Sequence, residues 1–134
     1  MPTLIHVKQP TPTSCAPACV AMVTGVDVHT LIAEMRPGPK RGTAHERIIR
    51  ALRARGVQCG DRFQSVRGRP LPRFAIVRIT HPNKRGHVVV KHEQTWFDPL
   101  LDALFTGDPP RGLVTPWAGG SRITSALWVD EVAL

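Results

Sequence analysis

The chain has 134 residues, 42% of them hydrophobic, and its 18 Lys and Arg against 10 Asp and Glu leave a formal charge of +8. That length suits one domain, and that apolar content excludes a disordered tail and supplies a real core. The longest apolar stretches fall far short of the roughly 20 residues a membrane span needs, the first residues lack the basic flank and apolar run of a secretory signal, and three cysteines are too few for a disulfide scaffold, so a reduced, cytoplasmic setting is expected.

Residues 3–8 alternate and are expected to form a short strand, followed by a Pro-stiffened loop over 9–13. Ser14 is the expected N-cap of a first helix that Cys15 opens, with Pro17 tolerated in its first turn. Cys15, Ala18, Cys19, Met22 and Val23 follow helical spacing, which predicts one buried face before Gly25 ends the helix. Asp27 is expected to cap a second helix over 28–35, terminated by Pro37-Gly38-Pro39. A third helix starts at a capping box, Thr43 with Glu46, carries an apolar stripe of Ala44, Ile48, Ile49 and Leu52, and stops at Gly56. Residues 67–73, with Pro70 and Pro72, read as an extended connector.

Beyond that point the pattern changes to strands. Residues 74–80, 86–91, 95–98 and 126–132 are rich in β-branched and aromatic side chains, with a turn at 82–86, a helical turn over 100–105 and a loop over 107–120. Helices first and antiparallel strands after predict an α+β fold filling one domain, 1–134.

Charge is concentrated. Residues 36–85 hold 14 of the 18 Lys and Arg against Glu46 and Asp61, a balance of +12, and the rest of the chain carries −4. Such a block attracts an acidic peptide, an anionic surface or nucleic acid, or simply solvates a face. Nucleic acid is the poorer fit, because only Phe63 and Phe74 in that stretch could stack on bases.

Four residues carry chemistry. Cys15 at a helix start meets the positive end of the macrodipole and unpaired amides, both of which favour the nucleophilic thiolate. Cys19 and Cys59 read as small buried hydrophobes. His87, at the head of a strand, is the candidate base. If 86–91 and 95–98 pair around His92-Glu93, residues whose numbers sum to 185 face each other, which sets Asp98 opposite His87 to hold its imidazole. Gln9, six residues before Cys15, supplies an uncharged amide that can serve an oxyanion beside the Cys15 N–H. A zinc site at Cys15, Cys19, His87 and His92 fits poorly, because His87 and His92 project to opposite faces of their strand. No metal and no cofactor are expected, and His6, His29, His45 and His81 have no spacing that assigns a role.

The segment from Gln9 through Cys15-Ala16-Pro17-Ala18-Cys19-Val20-Ala21-Met22, with Gly86-His87-Val88-Val89-Val90 and Trp96-Phe97-Asp98-Pro99, resembles the double-glycine leader peptidases. These bacteriocin-processing enzymes are a papain-like cysteine peptidase family, and here the domain would stand free of the exporter that many of them carry. Ser14 stands where the family has an acidic residue. The resemblance implies a papain-like fold with an N-terminal helical lobe packed on an antiparallel sheet. It makes Cys15 the nucleophile, His87 the base and acid, Asp98 the imidazole orienter and Gln9 the oxyanion donor. The implied reaction is hydrolysis of a peptide or protein substrate after small residues such as Gly, with acidic segments favoured by the basic block. The same parts would also serve a glutamine deamidase or acyltransferase, and a degenerate relative would be a peptide-binding or basic adaptor module.

Overall fold

The computed structural model describes residues 4–37, 43–82, 86–100, 105–106 and 121–131. Helix α1 spans Cys15–Thr24 and buries every residue from Pro17 to Val23. Its spacing predicts one buried face, yet β3 lies on one side of it and α2 and α3 pack on others. A helix apolar all round is a core helix rather than an amphipathic one. Gly25 takes φ +76 and bonds its N–H to the Ala21 carbonyl at 2.8 Å, the left-handed stop that a residue without Cβ adopts at least cost.

Helix α2, Val28–Glu34, is capped as its sequence predicts: Asp27 Oδ2 accepts the N–H groups of His29 and Thr30 at 3.1 and 3.2 Å. Helix α3, Ala44–Ala54, starts at Thr43, whose Oγ1 accepts the Glu46 N–H at 3.2 Å. It buries Ile48, Ile49, Ala51 and Leu52. Ala44 is exposed, because the first turn of α3 rims a pocket instead of entering the core.

Among the described residues, six antiparallel strands form one sheet: β1 Gln64–Ser65, β2 Phe74–Thr80, β3 Gly86–His92, β4 Thr95–Phe97, β5 Phe105–Thr106 and β6 Arg122–Trp128, in the order β1-β6-β2-β3-β4-β5. The helices cover the face carrying Phe74, Ile76, Val88, Val90 and Leu127, while Ala75, Val77, Ile79, Val89, Trp96 and Ala126 form a second cluster. Both faces of the central strands are therefore buried, which is why β2 is nearly continuous in apolar residues.

Several local expectations need correction. Residues 4–8 form no strand; side-chain and backbone bonds to Asp98 and Pro99 hold this segment instead of a ladder. The last strand begins four residues earlier than its hydrophobic run, because Arg122–Ser125 pair with the end of β2. Phe105 belongs to β5, opposite Trp96, rather than to a helical turn. The connector over 67–73 is interrupted by a turn in which Gly68 has φ +71 and Arg69 N–H bonds to Val66 O at 3.0 Å. The predicted loop at 107–120 and the breaker at Gly38-Pro39 lie outside the described residues.

Leu52 is wholly buried between α3 and the sheet, whereas Arg50 on the same helix is exposed. Urea denaturation should show Leu52→Ala losing ~2–5 kcal/mol, the transfer and cavity cost of a core leucine. Arg50→Ala should stay within ~0.5 kcal/mol. Equal losses at both positions would contradict this placement of the core.

Candidate active site

The β3–β4 hairpin turns one residue later than its sequence suggests. His92 pairs with Thr95, Lys91 with Trp96 and Val90 with Phe97, so the turn residues are Glu93 and Gln94 and the 185 register does not form. Glu93 pays for this with a left-handed φ of 56. Arg73 holds it there, its carbonyl accepting the Glu93 N–H at 2.7 Å and its Nη2 donating to the carboxylate at 2.5 Å.

The shift moves Asp98 off the position opposite His87 but does not part the two. In the observed register Asp98 lies just past the end of β4, on the diagonal from His87, and diagonal neighbours lie within reach of longer side chains. His87 Nε2 donates to Asp98 Oδ1 at 2.7 Å, in a site where Asp98 is fully buried. The same oxygen accepts the Leu100 N–H at 2.9 Å, and the Asp98 carbonyl accepts from His6 Nε2 at 2.7 Å. A buried carboxylate demands such partners, since leaving it bare costs several kcal/mol, roughly the desolvation penalty of an ion.

With Nε2 committed to Asp98, Nδ1 is the ring nitrogen left for the Cys15 thiol, and the two side chains are near enough to shift each other's pKa. Burial pushes the His87 pKa down, but the Asp98 hydrogen bond, the Cys15 hydrogen bond and both negative charges outweigh it. They raise the ring from 6.5 to about 9. Burial likewise pushes the Cys15 thiol up. Hydrogen bonds from His87 and the backbone at Val88 and Ala16, with the His87 charge, bring it below its ordinary value of 9.0. Both shifts favour the thiolate–imidazolium form of the pair over the neutral one, and of the three cysteines Cys15 is the one shifted down. Burial raises both Cys19 and Cys59.

Backbone geometry explains why the thiol lies there. Strand β4 pairs with residues 90–92 of β3, so among the described residues Gly86 to Val89 have no ladder partner on that side. Helix α1 covers this open edge, with Cys19 Sγ donating to the Val88 carbonyl at 3.3 Å and Cys15 bonded to the Val88 backbone one turn earlier. Ser14 is the N-cap residue but its side chain makes no cap bond. Its hydroxyl instead donates to the Thr11 carbonyl and accepts the Thr11 N–H, both at 3.0 Å. The first amides of α1 thus keep their positive end directed out of the helix, without a side-chain oxygen to quench it.

Gln9 reaches the same corner. Its backbone N–H donates to Pro99 O at 2.7 Å, next to Asp98, and its Nε2 donates to Thr11 O at 2.9 Å. Oε1 is buried with no hydrogen-bond partner among the described residues. One hydrogen of Nε2 is used and one remains. A buried amide kept only partly satisfied is costly where an apolar side chain would pack at lower cost.

Other residues enter the site that the sequence left without a role. Beside Cys15 and Ala16 opens a pocket of about 340 Å³ whose walls include His45 of α3, Arg78 of β2 and Gly86 of β3. His6 secures the Asp98 backbone, and the His81 ring stacks 6.2 Å from His87 while its Nδ1 bonds to Ser121 Oγ at 2.6 Å. Only long-range pairing brings these groups in. No local spacing could have found them, and His29 stays exposed outside the site. Cys15, His87 and Asp98 stand in series rather than around one point, and among the described residues no three His, Cys, Asp or Glu side chains form a metal cluster. No helix among those residues is long and apolar enough to cross a membrane.

No protein-family model and no curated protein matches the chain.

Titration of the His87 ring by NMR should give a midpoint near 9, and Asp98→Asn should move it down, since burial persists while the main raising contact weakens. The sign for stability follows. Because the folded value is raised, the stabilisation from this proton is full below 6.5 and is lost as pH rises through about 9. A wild-type midpoint at or below 6.5 would contradict the arrangement.

Proposed function

We propose that the chain is a papain-like cysteine peptidase that hydrolyses peptide bonds through a thioester at Cys15. The observation that carries this reading is the buried Asp98–His87 hydrogen bond at 2.7 Å, which spends Nε2 and leaves Nδ1 for a thiol at the first position of α1. A general base oriented by a third group, next to a nucleophile with a lowered pKa, is the arrangement that covalent acyl transfer requires. A histidine strand and a cysteine helix meeting at the end of an antiparallel sheet suit the papain-like layout, and so does the resemblance of the motifs around Cys15, His87 and Asp98.

The steps follow from the atoms. Cys15 Sγ attacks the carbonyl carbon of the scissile bond, and the oxygen takes the negative charge. The Cys15 N–H and the second Nε2 hydrogen of Gln9 receive it, in a place where fixed donors need no reorganisation. His87 Nδ1 gives its proton to the leaving amine nitrogen, and the C–N bond breaks to leave an acyl thioester. Water then enters, His87 takes a proton from it as its oxygen bonds to the acyl carbon, and the carbon–sulfur bond breaks to release the acid and restore the Cys15 thiolate. Asp98 holds the imidazolium in place throughout and keeps its own charge. Small residues such as Gly before the cut follow from the leader-peptidase resemblance.

Two experiments test the assignment. Iodoacetamide at pH 6 should label Cys15 well before Cys19 or Cys59, because only the first thiol is held below its ordinary value; equal labelling in the folded protein would count against a thiolate at Cys15. In cleavage of a Gly-Gly peptide set, Cys15→Ala and His87→Ala should each abolish turnover with the fold retained. Gln9→Ala should cost roughly 10²–10³ in rate, the usual worth of one oxyanion donor. An active His87→Ala protein would rule the mechanism out.

A further inference from the structure

On the helix-covered face of β2 the side chains run Phe74, Ile76 and then Arg78, where the alternation calls for another apolar residue. Arg78 is half-buried beside Val88, its partner across the ladder, and it lines the same pocket as Cys15. Among the described residues no carboxylate lies within ion-pair distance of it. By contrast, Arg53, Arg55 and Arg73 do form ion pairs, with Asp61, with Glu34, and with Glu93 and Glu131. A cation drawn part-way out of water without a counter-charge is costly, and the cost is offset when an anion arrives.

The surroundings hold this guanidinium in place without neutralising it. A Cβ on Gly86 would lie 2.8 Å from Arg78 Nε and 2.9 Å from Nη2, so the missing side chain at Gly86 is the space the guanidinium fills. His45 Nε2 stands 3.4 Å from Arg78 Nη1; burial first, and then the Arg78 charge, lower the His45 pKa, so the ring is neutral and accepts the N–H. Phe63 stacks on His45 at 4.0 Å and fixes its plane. On the other side, the β2–β6 ladder slips at Arg78/Ile79, and Thr124, the extra residue, donates its hydroxyl to the Arg78 carbonyl at 3.4 Å. Bulges of this kind re-aim side chains beside active sites.

We infer that Arg78 is a specificity-determining residue: its guanidinium, seated over Gly86 in the Cys15 pocket, pairs with a carboxylate of the substrate close to the scissile bond. This rests on the peptidase reading for the word substrate, but not for the carboxylate site itself. Guanidinium matches a carboxylate fork to fork, which gives orientation as well as attraction. The carboxylate has two sources, an Asp or Glu side chain or the C-terminus of a chain. The exposed Arg62, Arg67 and Arg69 add only a diffuse field, since they lie at the surface around β1.

The test separates binding from turnover. Cys15→Ala protein, which cannot react, is titrated with capped peptides centred on Gly-Gly that carry Glu or Gln at each flanking position, and with free-acid and amidated C-termini. At one position or one terminus the carboxylate form should bind roughly 10- to 100-fold tighter, the worth of a hydrogen bond to a charged group. The advantage should persist in about 0.5 M salt, which screens the surface arginines far more than a half-buried pair. Adding Arg78→Met should erase it, and Arg78→Glu should turn the preference toward Lys at that position. Iodoacetamide labelling of Cys15 in the single Arg78 variants checks that the thiol site is still formed. Equal binding of every Glu/Gln and acid/amide pair, or a preference unchanged by Arg78→Met, would overturn the assignment even if the wild type cleaves peptides. Selective, Arg78-dependent binding by a wild type that cleaves none of them would sustain the carboxylate site and overturn the peptidase reading instead.

Discussion

A fully buried aspartate has to be hydrogen-bonded, and Asp98 organises its neighbourhood to meet that demand. It draws the His87 ring, the Leu100 amide and, through its carbonyl, the His6 ring into one network, while Gln9 ties the N-terminal segment to the adjoining Pro99. Removing one partner from a buried pair of this type typically costs about 3–5 kcal/mol, a large share of the roughly 5–15 kcal/mol that holds a domain folded. The segment before α1 therefore needs no ladder bonds to stay in place. Its irregular path is set by the carboxylate, and that path delivers Gln9 and the start of α1 to the same corner.

The thiol shows which of two opposed effects wins. Burial alone would protonate Cys15, as it does the neighbouring Cys19, one turn deeper in the same helix. The difference is the contact with an imidazole whose own charge is secured by Asp98, together with backbone donors at an uncapped helix start. A Ser14 side chain turned back to Thr11 leaves those donors directed at the site. Position along one helix thus separates a thiol whose pKa is lowered from one whose pKa is raised.

Much of this was legible in the sequence where the signal is local. Asp27 and Thr43 cap their helices as their side-chain chemistry predicts, and the β-branched runs at 74–80 and 86–91 mark the two central strands. Residue type and position single out Cys15, His87 and Asp98 in the sequence, yet the register that joins His87 to Asp98 on paper is not the one that forms. A two-residue shift in the pairing sum keeps both side chains on one face, because strand alternation has period two, so the pair survives an error in the turn. The turn itself was illegible because Glu93 is a poor left-handed residue on its own. Only the distant Arg73 makes it acceptable. Arg78 was hidden for the same reason. Within the basic block it looked like one more solvated charge, and only the sheet turns it toward the pocket.

On the proposed function Asp98, through His87, makes Cys15 the sulfur that takes up an acyl group. The most direct measurement is to quench the protein in acid after brief exposure to an activated peptide ester and locate the thioester by mass spectrometry. The adduct is expected on Cys15 alone in the wild type, strongly diminished in Asp98→Ala and absent in His87→Ala. An adduct spread over Cys19 and Cys59, or one on Cys15 that forms equally fast without His87, would contradict it.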